Sequence, residues 1–130
     1  MNKIDYDLAG QVIGLAMKVH SRLGPGFLES VHQNALAYEL NRAGLLVEAE
    51  VRLKVKYEDV IVGEFDVDRL INKSLLIENK AVLALAIAHE VQVVNYLTAT
   101  GIDEGLLLNF GAARLEFKKK FRQPRPAVEA

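Results

Sequence analysis

The sequence is most informative between residues 68 and 80, where it runs DRLINKSLLIENK. Its apolar run Leu75-Leu76-Ile77 predicts a buried strand, yet Glu78 and Lys80 follow that strand directly. Residues two apart in a strand point to the same face, so Glu78 and Lys80 share one face and Asn79 takes the other. Charges at the end of an apolar strand are costly when they are buried without a partner. The segment therefore predicts either a structural ion pair or a metal site.

A second carboxylate favours the metal site. Asp68 and Glu78, on neighbouring strands, supply the oxygen ligands that a hard cation such as Mg²⁺ prefers. A bound metal lowers the pKa of a coordinated water and neutralises charge that develops on a phosphate. Lys80 beside it can orient that water or stabilise the charged transition state. These three residues thus predict phosphodiester hydrolysis.

The two carboxylates share a face as direct neighbours in only one hairpin register. Asp68 must lie opposite Glu78, which leaves residues 72–74 as a three-residue loop. A two-residue turn would place Asp68 opposite Ile77, on the wrong face. A metal site here therefore requires an odd-numbered loop or a bulge.

Outward from this hairpin, the apolar pattern predicts the order α-α-β-β-β-α-β-β. Helical spacing predicts helices over about 6–22 and 27–43, with Gly24-Pro25-Gly26 between them. The remaining pattern predicts strands over 51–57, 60–71 and 75–82, a helix over 86–100, and strands over 106–108 and 114–118. We expect an α/β fold in which helices flank a mixed sheet, as a single domain over residues 1–122 with a C-terminal tail at 123–130.

The third predicted helix carries a polar stripe, because His89, Gln92 and Tyr96 are spaced at i, i+3 and i+7. A glutamine and a tyrosine four residues apart, on the helix directly after E-x-K, are more specific than either motif alone. The alternative is an ordinary helix surface with one aromatic residue. The residues expected to face the core are Val91, Val94 and Leu97.

The second predicted helix adds a third carboxylate. Glu29 lies in its first turn, with His32 and Gln33 on the same face. The ordinary interpretation is a glutamate that stabilises the helix dipole. The functional one is a carboxylate that reaches the same metal, directly or through water.

Composition excludes several classes of protein. The 130 residues suffice for one core, and half of them are hydrophobic. The absence of cysteine excludes a disulfide framework, a thiolate zinc site and a cysteine nucleophile. The chain lacks an apolar run of about 20 residues and the layout of a signal peptide. We expect a soluble, cytoplasmic protein with no membrane contact.

The net charge of −1 means that any contact with nucleic acid must come from a local patch. The visible patch is Lys118-Lys119-Lys120, followed by Arg122 and Arg125, although a solvated tail is the interpretation that we favour for it. A second E-x-K sequence, at Glu116-Phe117-Lys118, is assigned to exposed charge on an edge strand.

Several segments together resemble the GxxExxY family of the PD-(D/E)xK nuclease superfamily. They are LGPGFLESV at 23–31, GEF at 63–65, ENKAV at 78–82, HEVQ at 89–92, NYL at 95–97 and LNFG at 108–111. The name-giving motif matches at Gly26 and Glu29, whereas His32 stands where the family name expects tyrosine. The resemblance covers about residues 8–121.

This resemblance implies an α-β-β-β-α-β core whose first helix begins near Phe27. It also implies the main roles in the site. Asp68 corresponds to the first metal-binding aspartate, Glu78 to the second acidic ligand, and Lys80 to the catalytic lysine.

Supporting roles follow from the same resemblance. Gln92 and Tyr96 correspond to the Gln-x-x-x-Tyr element of RecB-like nucleases, and Glu29 corresponds to a helical glutamate that supports the metal. The carbonyl of Asn79 is the remaining metal ligand that we expect. His89 and His32 complete the candidates for supporting or substrate-binding residues.

We therefore predict a nuclease that uses Mg²⁺ or Mn²⁺ and acts on DNA or RNA, with a homodimer as one way to form the nucleic-acid surface. The first alternative is a non-catalytic binding or assembly module that retains the fold. The second is hydrolysis of a small phosphate ester, since the metal chemistry would be the same.

Overall fold

The computed structural model describes residues 7–123 and has eight elements in the predicted order. The helices are α1 (Leu8–Leu23), α2 (Glu29–Arg42) and α3 (Ile87–Thr100). The strands are β1 (Val47–Tyr57), β2 (Val60–Ile71), β3 (Leu75–Lys80), β4 (Glu104–Asn109) and β5 (Glu116–Phe121). Except for Gln123, the predicted tail lies outside the described residues.

The strands form one sheet in the order β1-β2-β3-β4-β5. β3 and β4 are parallel, and the other three neighbouring pairs are antiparallel. A parallel pair needs a crossover connection, and α3 supplies it between β3 and β4. The predicted α/β fold with a mixed sheet is confirmed.

The sheet separates two apolar cores. The larger core joins α1 and α2 to one face through buried residues such as Ala16, Leu36 and Ile77. The smaller core joins α3 to the other face through Leu76, Val93 and Leu97 among others. Alternate residues of β3 thus serve opposite cores, as the period of a strand requires. No helix within residues 7–123 is long and apolar enough to cross a membrane.

The chain reverses between α1 and α2 at two glycines. Gly24 has φ of 72° and Gly26 has φ of 109°, values that side chains with a Cβ rarely adopt. After this reversal the first turn of α2 lies near the end of β3. The position of this turn follows from Glu29, which interacts electrostatically with Lys80. The Gly-Pro-Gly sequence therefore positions Glu29 as well as ending a helix.

The β2–β3 hairpin has the register that a shared site requires. Ile71 lies opposite Leu75 and Arg69 opposite Ile77, so residues 72–74 form the expected three-residue loop. Asn72 and Lys73, with φ of 51° and 56°, both adopt the left-handed conformation in this loop. The predicted odd-numbered loop is confirmed.

β2 does not present one face throughout its length. Val67 packs in the core of α3, whereas Ile71, four residues later, packs in the core of α1 and α2. Residues four apart in a regular strand share a face, so the strand must twist between these two positions. Glu50, between the β1 partners of Arg69 and Val67, has φ of 51° and marks the same irregularity in β1. Asp68 lies within this twisted segment.

Two expectations drawn from regular spacing are wrong. In α3 the expected core residue Leu97 is fully buried, but Val91 is 50% exposed and Val94 is only half-buried. Val93, which was not expected in the core, is fully buried instead, because the buried face of α3 is centred elsewhere. Glu116 is not exposed edge charge. Its Oε1 accepts hydrogen bonds from the backbone N–H of Leu85 at 3.1 Å and from Asn109 Nδ2 at 2.8 Å. It therefore helps to fix the loop between β3 and α3.

Candidate metal centre

Asp68 and Glu78 lie where β2 and β3 separate. The regular pairing ends at Arg69 and Ile77, and side chains replace the backbone partners beyond that point. Glu78 Oε2 accepts a hydrogen bond from the backbone N–H of Asp68 at 3.2 Å. Asp68 Oδ2 accepts one from the backbone N–H of Asn79 at 2.8 Å. These reciprocal bonds hold the two carboxylates beside each other.

Each carboxylate keeps one oxygen free for a ligand. Asp68 Oδ1 and Glu78 Oε1 accept no hydrogen bond within residues 7–123, while the second oxygen of each group is held by the backbone. A carboxylate fixed in this way offers a single oxygen to a cation, which suits the strict octahedral geometry of Mg²⁺. The residues present therefore fit a small divalent ion.

Burial and mutual repulsion disfavour ionisation of this pair when no cation is bound. Glu78 is only 6% exposed. Burial, and then the nearby Asp68, raise the pKa of Glu78 to about 8. Burial also raises the pKa of Asp68, although the hydrogen bond from Asn79 opposes that rise. A cation between the two groups would remove the repulsion, which is a second reason why the donor set fits a metal.

Lys80 supplies a positive charge close to both carboxylates without pairing with either. Its charge favours the ionised forms of Asp68, Glu78 and Glu29 and so opposes the rise that burial causes in the pKa of each. In the part of the chain that the structure describes, Lys80 forms no salt bridge. A direct Glu78–Lys80 ion pair, the structural alternative for this motif, is therefore absent here, and the ammonium group stays available to a ligand.

Glu29 stands near the pair rather than in direct contact with it. Burial, and then Asp68, raise the pKa of Glu29, and Lys80 lowers it. Gln33 Nε2 donates a hydrogen bond to Glu29 Oε2 at 3.1 Å and fixes that side chain. Among the described residues, no three acidic or histidine side chains lie close enough to share an ion. Contact between Glu29 and a metal through water stays a prediction.

The residues of the polar stripe of α3 have different surroundings. The Tyr96 ring stacks on Phe65, with centroids 4.0 Å apart and planes at 12°. Burial raises the pKa of Tyr96, and so do Glu78 and Asp68, so the phenol lies within electrostatic range of the carboxylates. Gln92 is half-buried one turn earlier. His89 instead caps the helix, since its Nδ1 accepts a hydrogen bond from the Ala86 N–H at 3.0 Å.

His32 does not reach the site surface. Its ring is fully buried, and its Nε2 lies 2.8 Å from the Gly24 carbonyl oxygen. It stacks on Phe110, with centroids 4.8 Å apart. A side chain with no exposure cannot contact a substrate from solvent, so of the two expected roles only the supporting one stays a prediction. The ring packs α2 against the end of β4 instead.

Asn79 contributes its backbone rather than its side chain. Its N–H holds Asp68, as described above. Its side-chain amide is 1% exposed and has no hydrogen-bond partner within residues 7–123. The role of the Asn79 carbonyl as a metal ligand stays a prediction.

Arg69 is a charged residue near the site that the sequence reasoning missed. It is 7% exposed, and its Nη1 donates a hydrogen bond to the backbone oxygen of Asp68 at 2.9 Å. Its charge also lowers the pKa of Asp68. A charge at an inward position of β2, between Val67 and Ile71, was the signal that could have identified it.

The basic patch near the C-terminus is largely neutralised. Lys119 pairs with Asp7 at 3.8 Å, Lys120 with Glu90 at 3.0 Å, and Arg122 with Asp103 at 2.8 Å. Arg125 lies outside the described residues. This patch offers less charge to a phosphate backbone than its sequence suggests.

Comparison with known proteins agrees with this fold. The model of the PD-(D/E)XK nuclease superfamily matches residues 6–121. The solved structure of SSO0001 superimposes with a TM-score of 0.62 at 20% identity, over 77% of this chain and 52% of that one. The alkaline exonuclease LHK-Exo of Laribacter hongkongensis superimposes with a TM-score of 0.53 at 14% identity, over 95% of this chain and 73% of that one. The chain thus spans about half the length of SSO0001, and these two likenesses concern the fold alone. No curated protein shows significant similarity.

Proposed function

Because the chain belongs to the PD-(D/E)XK nuclease superfamily, we propose that it is a metal-dependent nuclease that hydrolyses phosphodiester bonds of DNA or RNA. One observation carries the proposal. Asp68 and Glu78 hold each other through backbone N–H groups and leave one oxygen each free, with the unpaired Lys80 beside them. Such an arrangement presents two anionic ligands and one cation to a phosphate.

The residues divide the chemistry between them. Asp68 Oδ1, Glu78 Oε1 and the Asn79 carbonyl would hold the metal, with Glu29 acting through water. The metal, when bound, supplies a water of lowered pKa and neutralises charge on the phosphate. Lys80 orients the attacking water and stabilises the negative charge of the transition state. Tyr96 lies within electrostatic range of the carboxylates and, with Gln92 one turn earlier on α3, would contact the phosphodiester.

Mg²⁺ or Mn²⁺ is the metal that we propose, since hard oxygen ligands with one free atom each favour these ions. We also propose the GxxExxY family as the branch of the superfamily. Gly26 and Glu29 support it, although His32 replaces the tyrosine of the family name. At this position the His32 ring packs on Phe110 in the core, which is compatible with the proposed roles of the carboxylates and the lysine. A homodimer and a cytoplasmic location stay predictions.

Cleavage of labelled oligonucleotides tests the proposal. Single-stranded, double-stranded and structured DNA and RNA would be incubated with purified protein in Mg²⁺, in Mn²⁺ or in EDTA. We expect cleavage that requires metal and disappears in EDTA. The control is Asp68→Asn protein purified in the same way, which reveals any contaminating nuclease. Binding without cleavage in every metal would instead favour the non-catalytic module, an alternative that the neutralised basic patch supports.

A further inference from the structure

The backbone of Asp68 is held by side chains at a point where the pairing of β2 is interrupted. The registers within residues 7–123 pair Val67 with β1 and Arg69 with both neighbouring strands, but they give Asp68 no partner. The Asp68 N–H donates to Glu78 Oε2 at 3.2 Å, and the Asp68 carbonyl oxygen accepts a hydrogen bond from Arg69 Nη1 at 2.9 Å. The position of Asp68 therefore depends on two side chains, of which only Glu78 is itself a proposed metal ligand.

Arg69 reaches Asp68 from the face of the sheet that α1 and α2 cover. Arg69 lies directly opposite Ile77, and directly opposite residues of an antiparallel pair share a face. Ile77 packs in the core of α1 and α2. Glu78 is the next residue of β3, so it points to the other face, on which α3 packs. The two side chains thus hold Asp68 from opposite faces of the sheet.

The charge of Arg69 is costly at this position. Arg69 is 7% exposed, and in the part of the chain that the structure describes it forms no salt bridge. Its Nε is buried and has no hydrogen-bond partner among the same residues. A buried charge without a carboxylate partner opposes folding. The contact that offsets this cost is the hydrogen bond to Asp68, so Arg69 acts through Asp68 and not on a substrate from solvent.

The charge and the hydrogen bond of Arg69 would affect a metal site in opposite ways. Like charges repel, so the guanidinium charge alone would weaken the binding of a cation to Asp68. A ligand that is held in place before the ion arrives binds the ion more tightly. Hydrogen bonds that orient metal ligands contribute about 10- to 100-fold in metal affinity. Replacement of Arg69 by a neutral residue therefore separates the two effects by the direction in which affinity changes.

We propose that Arg69 is a positioning residue, which holds the main chain of Asp68 through its carbonyl oxygen and so fixes Asp68 Oδ1 at the metal site. The inference rests on the proposed function, because that function makes Asp68 a metal ligand. Two amides report on the position of Asp68 directly. The N–H of Asn79 donates to Asp68 Oδ2 at 2.8 Å, and the N–H of Asp68 donates to Glu78. Both amides should lose protection if Asp68 moves.

Hydrogen exchange in EDTA tests this position without metal or substrate. NMR spectra would follow the Asp68 and Asn79 amides, with the amides of β4 as the reference for opening of the whole domain, since β4 lies between two other strands. Relative to that reference, we expect both amides to exchange about tenfold faster in Arg69→Met than in the wild type. Arg69→Lys keeps a charged donor and should recover most of the protection, because one bond to a carbonyl does not need the planar fork of arginine.

The matched control for exchange is Ile71→Val. Ile71 is fully buried on the same face of β2 as Arg69, and it packs in the core of α1 and α2. The substitution weakens that core without removing a hydrogen bond, so both amides should keep their wild-type exchange relative to β4. If Arg69→Met does not fold, Arg69→Gln takes its place, since the glutamine amide ends two atoms short of the Nη1 position.

Binding of Mn²⁺ gives the second readout and can be measured from the EPR signal of the free ion. The Kd should rise about tenfold in Arg69→Met and stay near the wild-type value in Arg69→Lys and Ile71→Val. An equal or lower Kd in Arg69→Met would overturn the inference, because it would show that Arg69 contributes its charge or its bulk and not the position of Asp68.

The exchange data can also overturn the inference. They do so if Arg69→Met leaves both amides unchanged, if Ile71→Val accelerates them equally, or if Arg69→Lys recovers nothing. A wild-type protein that binds no Mn²⁺ would reject the proposed function instead. The exchange of the two amides would then decide by itself whether Arg69 holds Asp68 in place.

Discussion

Replacing Lys80 by methionine is expected to lower the rate of metal-dependent cleavage by about 10²- to 10³-fold. Methionine keeps much of the aliphatic stem but removes the ammonium group that faces Asp68 and Glu78. The transition state then loses a charge partner in a partly buried site, where such interactions are strong. Single-turnover cleavage of a labelled strand, at saturating Mn²⁺, measures the chemical step directly.

The matched control for this variant is Lys73→Ala. Lys73 lies in the loop of the same hairpin and is 70% exposed at its side chain. Its cleavage rate should stay within about twofold of the wild type, because an exposed charge interacts weakly with the site. A Lys80→Met protein that folds, binds Mn²⁺ and cleaves at the wild-type rate would show that Lys80 has no part in the chemistry.

Replacing Glu78 by glutamine is expected to stabilise the metal-free protein at alkaline pH. The pKa of Glu78 is about 8 in the folded protein, against 4.5 as the ordinary value. A carboxyl with a raised pKa binds its proton more tightly in the folded protein than in the unfolded one. The contribution of this group to the free energy of unfolding is therefore fully present below pH 4.5. That contribution falls as the pH rises from about 4.5 to about 8, and it changes no further above pH 8. Glutamine stays neutral throughout and removes this dependence.

Urea unfolding in EDTA measures the effect. Above pH 8 the Glu78→Gln protein should exceed the wild type by on the order of 3 kcal/mol, and at pH 4 the difference should nearly vanish. Glutamine Oε1 can still accept the hydrogen bond from the backbone N–H of Asp68, so the structure at the point where β2 and β3 separate is kept. The control is Glu58→Gln in the exposed β1–β2 turn, which should show no such difference. A wild-type protein that gains stability relative to Glu78→Gln as the pH rises would contradict the raised pKa.

Addition of Mg²⁺ should reverse the order of stability. The cation favours the ionised form of Glu78 and binds only the folded wild type with full affinity, so it stabilises that protein by mass action. Glu78→Gln lacks one anionic ligand and should gain less. Equal stabilisation of both proteins by Mg²⁺ would place the metal elsewhere.

The hairpin could be predicted from the sequence because two constraints acted together. Apolar alternation fixed the core faces of β3, and the requirement that Asp68 and Glu78 share a face selected the three-residue loop. The order of the elements could also be predicted, since their periodic patterns are strong. The ends of the strands were harder to predict: β4 extends beyond its apolar centre, to Glu104 at one end and Asn109 at the other. Pairing with neighbouring strands sets such limits, and a sequence pattern does not display it.

The parts of the site that sequence reasoning missed depend on departures from regular geometry. The twist of β2 near Asp68 carries Val67 and Ile71 into different cores, which a strict period of two cannot express. Arg69 acts on Asp68 through a contact made by the fold. Direct substrate contact was expected of His32 because it shares a face of α2 with Glu29, although it lies deeper. Burial of this kind depends on tertiary packing. Helical spacing predicts only the face of the helix on which a residue lies.

The central claim is that Asp68 and Glu78 together bind the metal. Crystals of the wild-type protein soaked in Mn²⁺ test it most directly, since the anomalous signal of manganese identifies the ion. We predict a peak bound by Asp68 Oδ1 and Glu78 Oε1, at roughly 2.0–2.2 Å from each oxygen. A saturating soak that leaves the space between these two carboxylates without an anomalous peak would contradict the account.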